Sequence, residues 1–416
     1  MRILLVHQNF PGQYKHIAEA LGRDPAHEVV ALGVHHRPVP PGIRVVRYAM
    51  QRPASTVHPF AHDFEGKMVY GEACARAAMA LKAEGFAPDI ICGHPGWGEI
   101  LFLKDVWPDA KMLSFQEFYY QAANADFNFD PAFPVTDPAA YWRLRARNAA
   151  FLVGLEASDW NVSPTRWQWS QLPEFGRART SIIHDGVDTT AVRPNPQASI
   201  TLGRAGICRP GDEIVTFINR NLEPYRGYHM FMRALPEILR RRPKARAVIV
   251  GGNEVSYGAA PGGGRSWKDI YLGEVADKLD MSRVHLVGKV PYPTYLNLLQ
   301  VSAAHVYLTY PFVLSWSMLE SMAAECLVIG SRTKPVEEVI EHGKNGLLID
   351  FFSPEAIAAA VVEALANPKA YREMRRAARC TVVERYDLAS ICLPAHLQLV
   401  RDVAEGRTPV SGTSNR

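Results

Sequence analysis

Two arginines flank a turn in the run Phe217-Ile218-Asn219-Arg220-Asn221-Leu222-Glu223-Pro224-Tyr225-Arg226-Gly227. A strand is expected to end at Arg220, Pro224 to turn the chain, and a helix to begin at Arg226 and Gly227. Both guanidiniums then stand at the C-terminal mouth of a sheet. Planar, permanently charged forks in that place suit a diphosphate, because arginine grips phosphate oxygens two at a time. Surface arginines on a loop are the plainer alternative. A second run, Tyr307–Ala323 (YLTYPFVLSWSMLESMA), reads as strand, loop at Pro311 and helix from about Ser317. The first amides of that helix, at Ser315, Trp316, Ser317 and Met318, make an anion site of the helix-terminus kind. Glu320, one turn in, is placed to accept two sugar hydroxyls, or simply to complement the helix dipole. His94 lies in Cys92-Gly93-His94-Pro95-Gly96-Trp97-Gly98, directly after a strand-like run. It is a candidate acid or base, with a capping or ligand-binding role as the alternative.

Other chemistries are excluded by their missing motifs. The first strand leads into His7-Gln8-Asn9-Phe10-Pro11-Gly12-Gln13, where a nicotinamide-binding turn needs several glycines. The Gly-Lys pairs at Gly66, Gly288 and Gly343 are not followed by Ser or Thr, so no P-loop exists. There is no GxSxG elbow. There is also no Asp-x-Asp pair to hold a metal-diphosphate. His58 and His62 have helical spacing, but Pro59 argues against the helix a zinc pair requires. No metal and no cofactor is expected. The six cysteines (Cys74, Cys92, Cys208, Cys326, Cys380, Cys392) have no metal spacing and read as reduced thiols of a cytosolic protein.

The elements that must position these residues alternate along the chain. Apolar strand runs occur at Ile3–His7, Glu28–Leu32, Ile43–Val46, Pro88–Gly93, Lys111–Phe115, Ser158–Val162 and Ser181–His184. Helical patterns cover Tyr14–Leu21, Lys67–Glu84 and Pro138–Ala157 between them. Pro194–Pro210 breaks the pattern, and the alternation restarts at Ile214–Asn219. Continuous apolar strands between helices imply parallel sheets covered on both faces. The chain of 416 residues is long enough for two such domains, and 48% hydrophobic against 21% charged residues excludes wholesale disorder. A net charge of +4 gives no argument for nucleic acid. No signal peptide or transmembrane run is expected. Two doubly wound α/β domains would bind ligand outside the C-terminal ends of their strands, in a central cleft.

With these residues in hand, a resemblance becomes specific. The runs RNLEPYRG, SWSMLESMA and CLVIGSRTKPVEEVIEHGKNGLLIDFFSPEAIA, in that order, resemble the donor half of retaining GT-B glycosyltransferases of family 4. His184-Asp185-Gly186-Val187-Asp188 is similar to the segment closing their first domain. HQNFPGQYKHIAEAL, GHPGWGEILFLKDVWPDA and VSPTRWQWS look like one bacterial branch of that family. The likeness implies a GT-B fold. Residues 1–195 would form an acceptor-side domain and 196–385 a donor domain. A helix at 386–404 would pack back on the first domain, with a disordered tail at 405–416.

The resemblance also implies roles. Arg220 and Arg226 match the basic pair on the nucleotide diphosphate, beside Gly227. Glu320 matches the second Glu of a Glu-x7-Glu motif and binds ribose; the first falls at Phe312, so contacts to the donor sugar differ here. Lys289 and Val290 match the loop framing the base. Gly12, Gln13 and His16 face the acceptor. His94 matches a His near the reacting sugar. Read from its own segment, Glu117 is a candidate covalent nucleophile, with orienting the acceptor or supporting the loop as the favoured alternative. Read from its residues alone, Asn124–Phe133 is either a mobile acceptor loop or an ordinary polar excursion. The implied reaction is metal-independent transfer, with retention, from a nucleotide-diphosphate sugar to a hydroxyl of a glycan, lipid-linked sugar or small molecule. Positive charge placed where the leaving diphosphate develops is the physical requirement. A sugar-nucleotide 2-epimerase and a non-catalytic sugar-nucleotide binder are the alternatives. No nucleic-acid partner is implied; peripheral contact with the inner membrane face and the oligomeric state stay open.

Overall fold

The computed structural model describes residues 1–51, 57–203 and 206–413. The chain divides into two compact units, Met1–Gly186 with Ala389–Arg416, and Val187–Leu388. In the first, strands β1 (Arg2–Val6), β2 (Glu28–Gly33), β3 (Ile43–Arg47), β4 (Ile90–Gly93), β5 (Lys111–Phe115), β6 (Trp160–Ser163) and β7 (Thr180–Ile182) form one sheet. Its order is β3-β2-β1-β4-β5-β6-β7, parallel throughout. The apolar run of β1 explains its central place. Ile3 and Leu5 turn to one face, against Leu399, Val400 and Val403 of the helix Leu393–Ala404. Leu4 and Val6 turn to the other, against Cys74, Ala78 and Leu81 of the helix His62–Ala83. A strand side-chain period of two thus buries both faces at once.

The second unit opens with a short antiparallel hairpin, β8 (Ile200–Thr201) with β9 (Ile207–Cys208). Its main sheet contains β10 (Ile214–Asn221), β11 (Arg246–Gly252), β12 (Val284–Gly288), β13 (Ala304–Tyr307), β14 (Val328–Ser331) and β15 (Leu347–Ile349). The order is β12-β11-β10-β13-β14-β15, again all parallel. In each sheet the strand order reverses once, beside β1 in the first and beside β10 in the second. Chains leaving the two strands at such a reversal diverge, and ligands of doubly wound sheets bind there. His7 and His94 follow β1 and β4; Arg226 and the Thr309–Ser315 loop follow β10 and β13.

Four expectations need correction. The unit boundaries fall after Gly186 and Leu388 rather than after 195 and 385. The Pro194–Pro210 stretch lies wholly within the second unit, because Ile200 and Thr201 pair with Cys208 and Ile207; Arg204 and Ala205 lie outside the described residues. The helix expected over Pro138–Ala157 is two helices, Ala139–Arg147 and Ala149–Ala157. At the break, the Asn148 side chain accepts from the Tyr120 amide at 3.0 Å and donates to the Tyr120 carbonyl at 2.8 Å. The tail is ordered where it meets β7. The Gly412 amide donates to the Thr180 carbonyl at 2.9 Å, and Ser181 Oγ donates to the Val410 carbonyl at 2.6 Å. Residues 414–416 of that tail lie outside the described residues. The six cysteines are free, all buried but Cys380. Among the described residues, no helix is long and apolar enough to cross a membrane.

Candidate functional site

In the second unit the chain leaves β10 and turns through Pro224–Arg226 into the helix Tyr228–Arg241. Gly227 makes the turn at φ +70°, and a Cβ there would meet Leu308 Cβ at 2.3 Å. Only glycine allows this backbone so close to the chain leaving β13. The turn tucks Arg226 inward, where it is 4% exposed. Its Nη1 donates to Thr309 Oγ1 at 2.8 Å and to the Val313 carbonyl at 2.9 Å. The guanidinium lies 4.9 Å from the Tyr257 ring centroid and 5.7 Å from that of Phe312. Burial works against its charge, but Tyr307, Tyr257 and Glu223 outweigh it and hold the pKa above the usual arginine value. Among the described residues Arg226 has no ion-pair partner. Glu223, the nearby acid, spends its carboxylate on the amides of Ser256 (3.0 Å), Tyr257 and Gly258 (both 3.3 Å). A buried cation without a paired anion is costly. Arg226 is therefore a fixed, buried positive charge on which the Glu223 carboxylate acts only through space. Arg220, by contrast, is exposed on β10 and acts on the Glu254 carboxylate only through space.

The helix Trp316–Ala323 follows the Arg226-bound loop. Its N-terminus is more occupied than expected. Ser315 Oγ accepts from the Ser317 amide at 3.4 Å, the Ser315 carbonyl accepts from the Met318 amide at 3.2 Å, and the Ser315 amide donates to Tyr307 Oη at 2.8 Å. The Ser315 hydroxyl, the Ser315 carbonyl and Tyr307 Oη thus occupy the amides of Ser317, Met318 and Ser315 that were expected to bind an anion. Met318 is core, and the Trp316 side chain is exposed. Glu320 accepts from Tyr292 Oη and Tyr295 Oη. Lys289 pairs with Glu254 at 2.8 Å, while Val290 packs on the core. Phe312 is half-buried in an aromatic cluster, 5.4 Å from Tyr225 and 5.0 Å from Tyr257 by ring centroids.

In the first unit, His94 caps the turn Pro95–Trp97 by accepting from the Gly96 amide on Nδ1 at 2.9 Å. That leaves the Nε2 hydrogen facing Glu117 Oε2 at 3.3 Å. His7, one strand over, accepts from the Asn9 amide at 3.0 Å, and its ring centroid lies 6.1 Å from that of His94. Burial, then His94, push the His7 pKa down to about 4. Burial opposes ionisation of Glu117, yet His94, His7 and Gln13 outweigh it and hold the carboxyl below its usual range. Gln13 hydrogen-bonds both His7 and Glu117. Gly12, at φ +48°, lies on the His7 ring, where a Cβ would meet Cε1 at 2.7 Å. Gln13, His94 and Glu117 are thus one network, with Gly12 beside it and His16 half-buried on the next helix. Asn124–Phe133 is cross-braced: the Val135 amide donates to Asn128 Oδ1 and the Ala132 amide to Asp130 Oδ1, both at 2.8 Å.

Residues 25–192 match the family model described as Glycosyl transferase family 4 group, and residues 204–381 match Glycosyl transferases group 1. The chain belongs to the family-4 glycosyltransferases. A D-inositol 3-phosphate glycosyltransferase of Thermobispora bispora is 23% identical over 218 residues, 51% of this chain and 49% of that one. A GDP-mannose-dependent alpha-(1-6)-phosphatidylinositol monomannoside mannosyltransferase of Mycolicibacterium smegmatis is 30% identical over 207 residues, 48% of this chain and 49% of that one. The chain thus spans about half the length of the curated relatives it matches. Among solved structures, sucrose-phosphate synthase of Thermosynechococcus elongatus gives a TM-score of 0.69 at 18% identity, covering 98% of this chain and 100% of that one. Anabaena HepE in complex with UDP gives 0.65 at 14%, covering 96% and 99%. The fold is the GT-B fold.

Several residues of this family-4 chain's site escaped the sequence. Glu223, Tyr257, Tyr292, Tyr295 and His7 all bond to or press on the expected residues. For His7 a signal existed: it ends the first strand, as His94 follows the fourth. The partners of Glu223 and Glu320 lie 25 or more positions away along the chain, where no local pattern points.

Proposed function

We propose that the protein transfers a sugar from a nucleotide-diphosphate sugar to an acceptor hydroxyl, with retention at the anomeric carbon and without a metal. The observation that carries this is Arg226, buried, charged and without an ion pair among the described residues, at the strand-order reversal of the second unit. Breaking a sugar–diphosphate bond develops negative charge on the leaving group. A preorganised cation stabilises that charge without reorganising. Arg220 adds a second, exposed charge after the diphosphate arrives, and Glu320 accepts the ribose hydroxyls. Lys289 and Val290 frame the base. On the first unit, Gln13, His94 and Glu117 provide an ionised carboxylate with fixed donors, suited to orienting a hydroxyl acceptor. The M. smegmatis relative is named for its use of GDP-mannose, and the Anabaena structure holds UDP. Both support a nucleotide-sugar donor. Phe312, where the family motif has its first Glu, gives the sugar an aromatic neighbour in place of a carboxylate.

The test is calorimetric titration of the full chain with UDP, GDP, ADP and dTDP, their sugars, and NAD as control. Selective binding of one nucleotide's diphosphate and sugar, followed by transfer to an acceptor from a glycan panel, supports the proposal. Binding of none refutes it. Epimerisation of the bound sugar without acceptor identifies the 2-epimerase instead.

A further inference from the structure

Glu320 is not an open carboxylate. Tyr292 Oη donates to Oε1 at 2.8 Å, and Tyr295 Oη donates to Oε2 at 2.5 Å. The two tyrosines sit one turn apart at the start of the helix Tyr292–Val301, their rings stacked with centroids 5.6 Å apart. Tyr295 packs on the core of the second unit, whereas Tyr292 is 53% exposed. Burial first, and then the Glu320 charge, push both phenols above their usual pKa, so each keeps its proton and donates.

The geometry has a consequence for recognition. A carboxylate offers about four lone-pair sites, and the phenols take one on each oxygen. One acceptor site per oxygen remains, at a spacing and orientation fixed by two hydrogen bonds to a charged group. An unpinned glutamate would lose side-chain freedom on binding a ligand; this one has lost it already. Two acceptors at fixed spacing match a pair of neighbouring hydroxyls and lose half their value to a ligand with one. Tyr292 also follows Lys289-Val290-Pro291 directly, so the residue that pins the carboxylate belongs to the segment proposed to frame the base.

We infer that Tyr292 and Tyr295 are positioning residues for nucleotide recognition: they hold Glu320 in the orientation that accepts both ribose hydroxyls, so the site selects ribonucleoside diphosphates over their 2′-deoxy counterparts. This rests on the reading of Glu320 as the ribose ligand. The phenols touch the carboxylate rather than the reacting atoms, and their effect is confined to the ribose.

The experiment is titration of the full chain, as wild type, Tyr292→Phe and Tyr295→Phe, with UDP, GDP and ADP and with the 2′-deoxy form of whichever binds. Thermal melting of each variant checks folding, and the exposed Tyr292 supplies a substitution that leaves the core intact. Wild type is expected to prefer the ribonucleotide by at least about tenfold, the value of a hydrogen bond to a charged group. Each variant is expected to lose about three- to tenfold for the ribonucleotide and a smaller factor for the 2′-deoxynucleotide, which keeps only the 3′-hydroxyl for Glu320. Equal losses for both ligands, or none for either, overturn the inference while leaving the donor site standing. A wild type that binds no diphosphate overturns the donor-site reading and this inference with it.

Discussion

Replacing Glu99 by glutamine should remove a large part of the pH dependence of the first unit's stability. Glu99 lies in the His94 loop and is 0% exposed. Its Oε1 accepts from Tyr48 Oη at 2.9 Å, while Oε2 has no partner among the described residues. Burial raises its pKa from 4.5 to about 8. The folded state therefore binds the proton more tightly than the unfolded chain. The associated stability is complete below about pH 4.5 and falls as pH rises, until the folded carboxyl ionises near pH 8. One proton per molecule corresponds to about 1.4 kcal/mol for each pH unit, so the loss across that window is about 5 kcal/mol. Glutamine keeps an acceptor for Tyr48 and cannot ionise. Its amide nitrogen replaces a buried Oε2 that has no partner among the described residues, and an unsatisfied amide there costs about 1–3 kcal/mol at every pH. The variant should be less stable than wild type at pH 5 and more stable at pH 9, the two curves crossing between. Urea unfolding at pH 5, 7 and 9 measures this, with pulsed hydrogen exchange on β1 and β4 peptides reporting the first unit separately. Parallel curves for the two proteins would refute the reasoning, because they would mean that Glu99 ionises at no cost in the fold.

Arg226→Lys keeps the charge but loses the fork, and should weaken nucleoside-diphosphate binding by about ten- to a hundredfold in calorimetry, with Arg226→Ala weaker still. Unchanged affinity in either variant would remove the diphosphate assignment. Gly227→Ala places a Cβ at φ +70° and 2.3 Å from Leu308, so it should lower stability by more than about 2 kcal/mol in thermal unfolding. Turnover should persist in excess chelator; loss restored by added divalent cation would show a metal role.

The strands were legible because burial on both faces demands unbroken apolar runs, as at Ile3–Val6 and Lys111–Phe115. Family motifs carried the positions of Arg226, Gly227 and Glu320. Exposure was less legible than position. Arg220 and Arg226 read alike as a pair, but the glycine after Arg226 turns that side chain into the protein, and nothing does so for Arg220. The helix break at Asn148 depends on Tyr120, and the ordering of Val410–Gly412 depends on β7. Those partners are remote in sequence, and periodicity registers only near neighbours. The serine cap at Ser315 was visible as a residue type, yet its effect, occupying the amides expected for an anion, follows from its rotamer and from Tyr307.

Glu99 and Arg226 show how the same burial has opposite outcomes for two side chains. Each is almost wholly enclosed and lacks an ion-pair partner among the described residues. A carboxyl can escape the cost of a buried charge by taking up a proton, and burial duly raises the Glu99 pKa. Arginine has no such exit in the accessible pH range. The fold instead surrounds Arg226 with the Thr309 hydroxyl, the Val313 carbonyl and aromatic faces, and together with Glu223 these outweigh burial and keep it charged. On the proposed function that fixed charge serves a diphosphate, and Arg226→Met, similar in its stem and uncharged, should separate charge from packing. Melting temperature should hold or rise while diphosphate affinity collapses. A parallel fall in both would make Arg226 a packing residue.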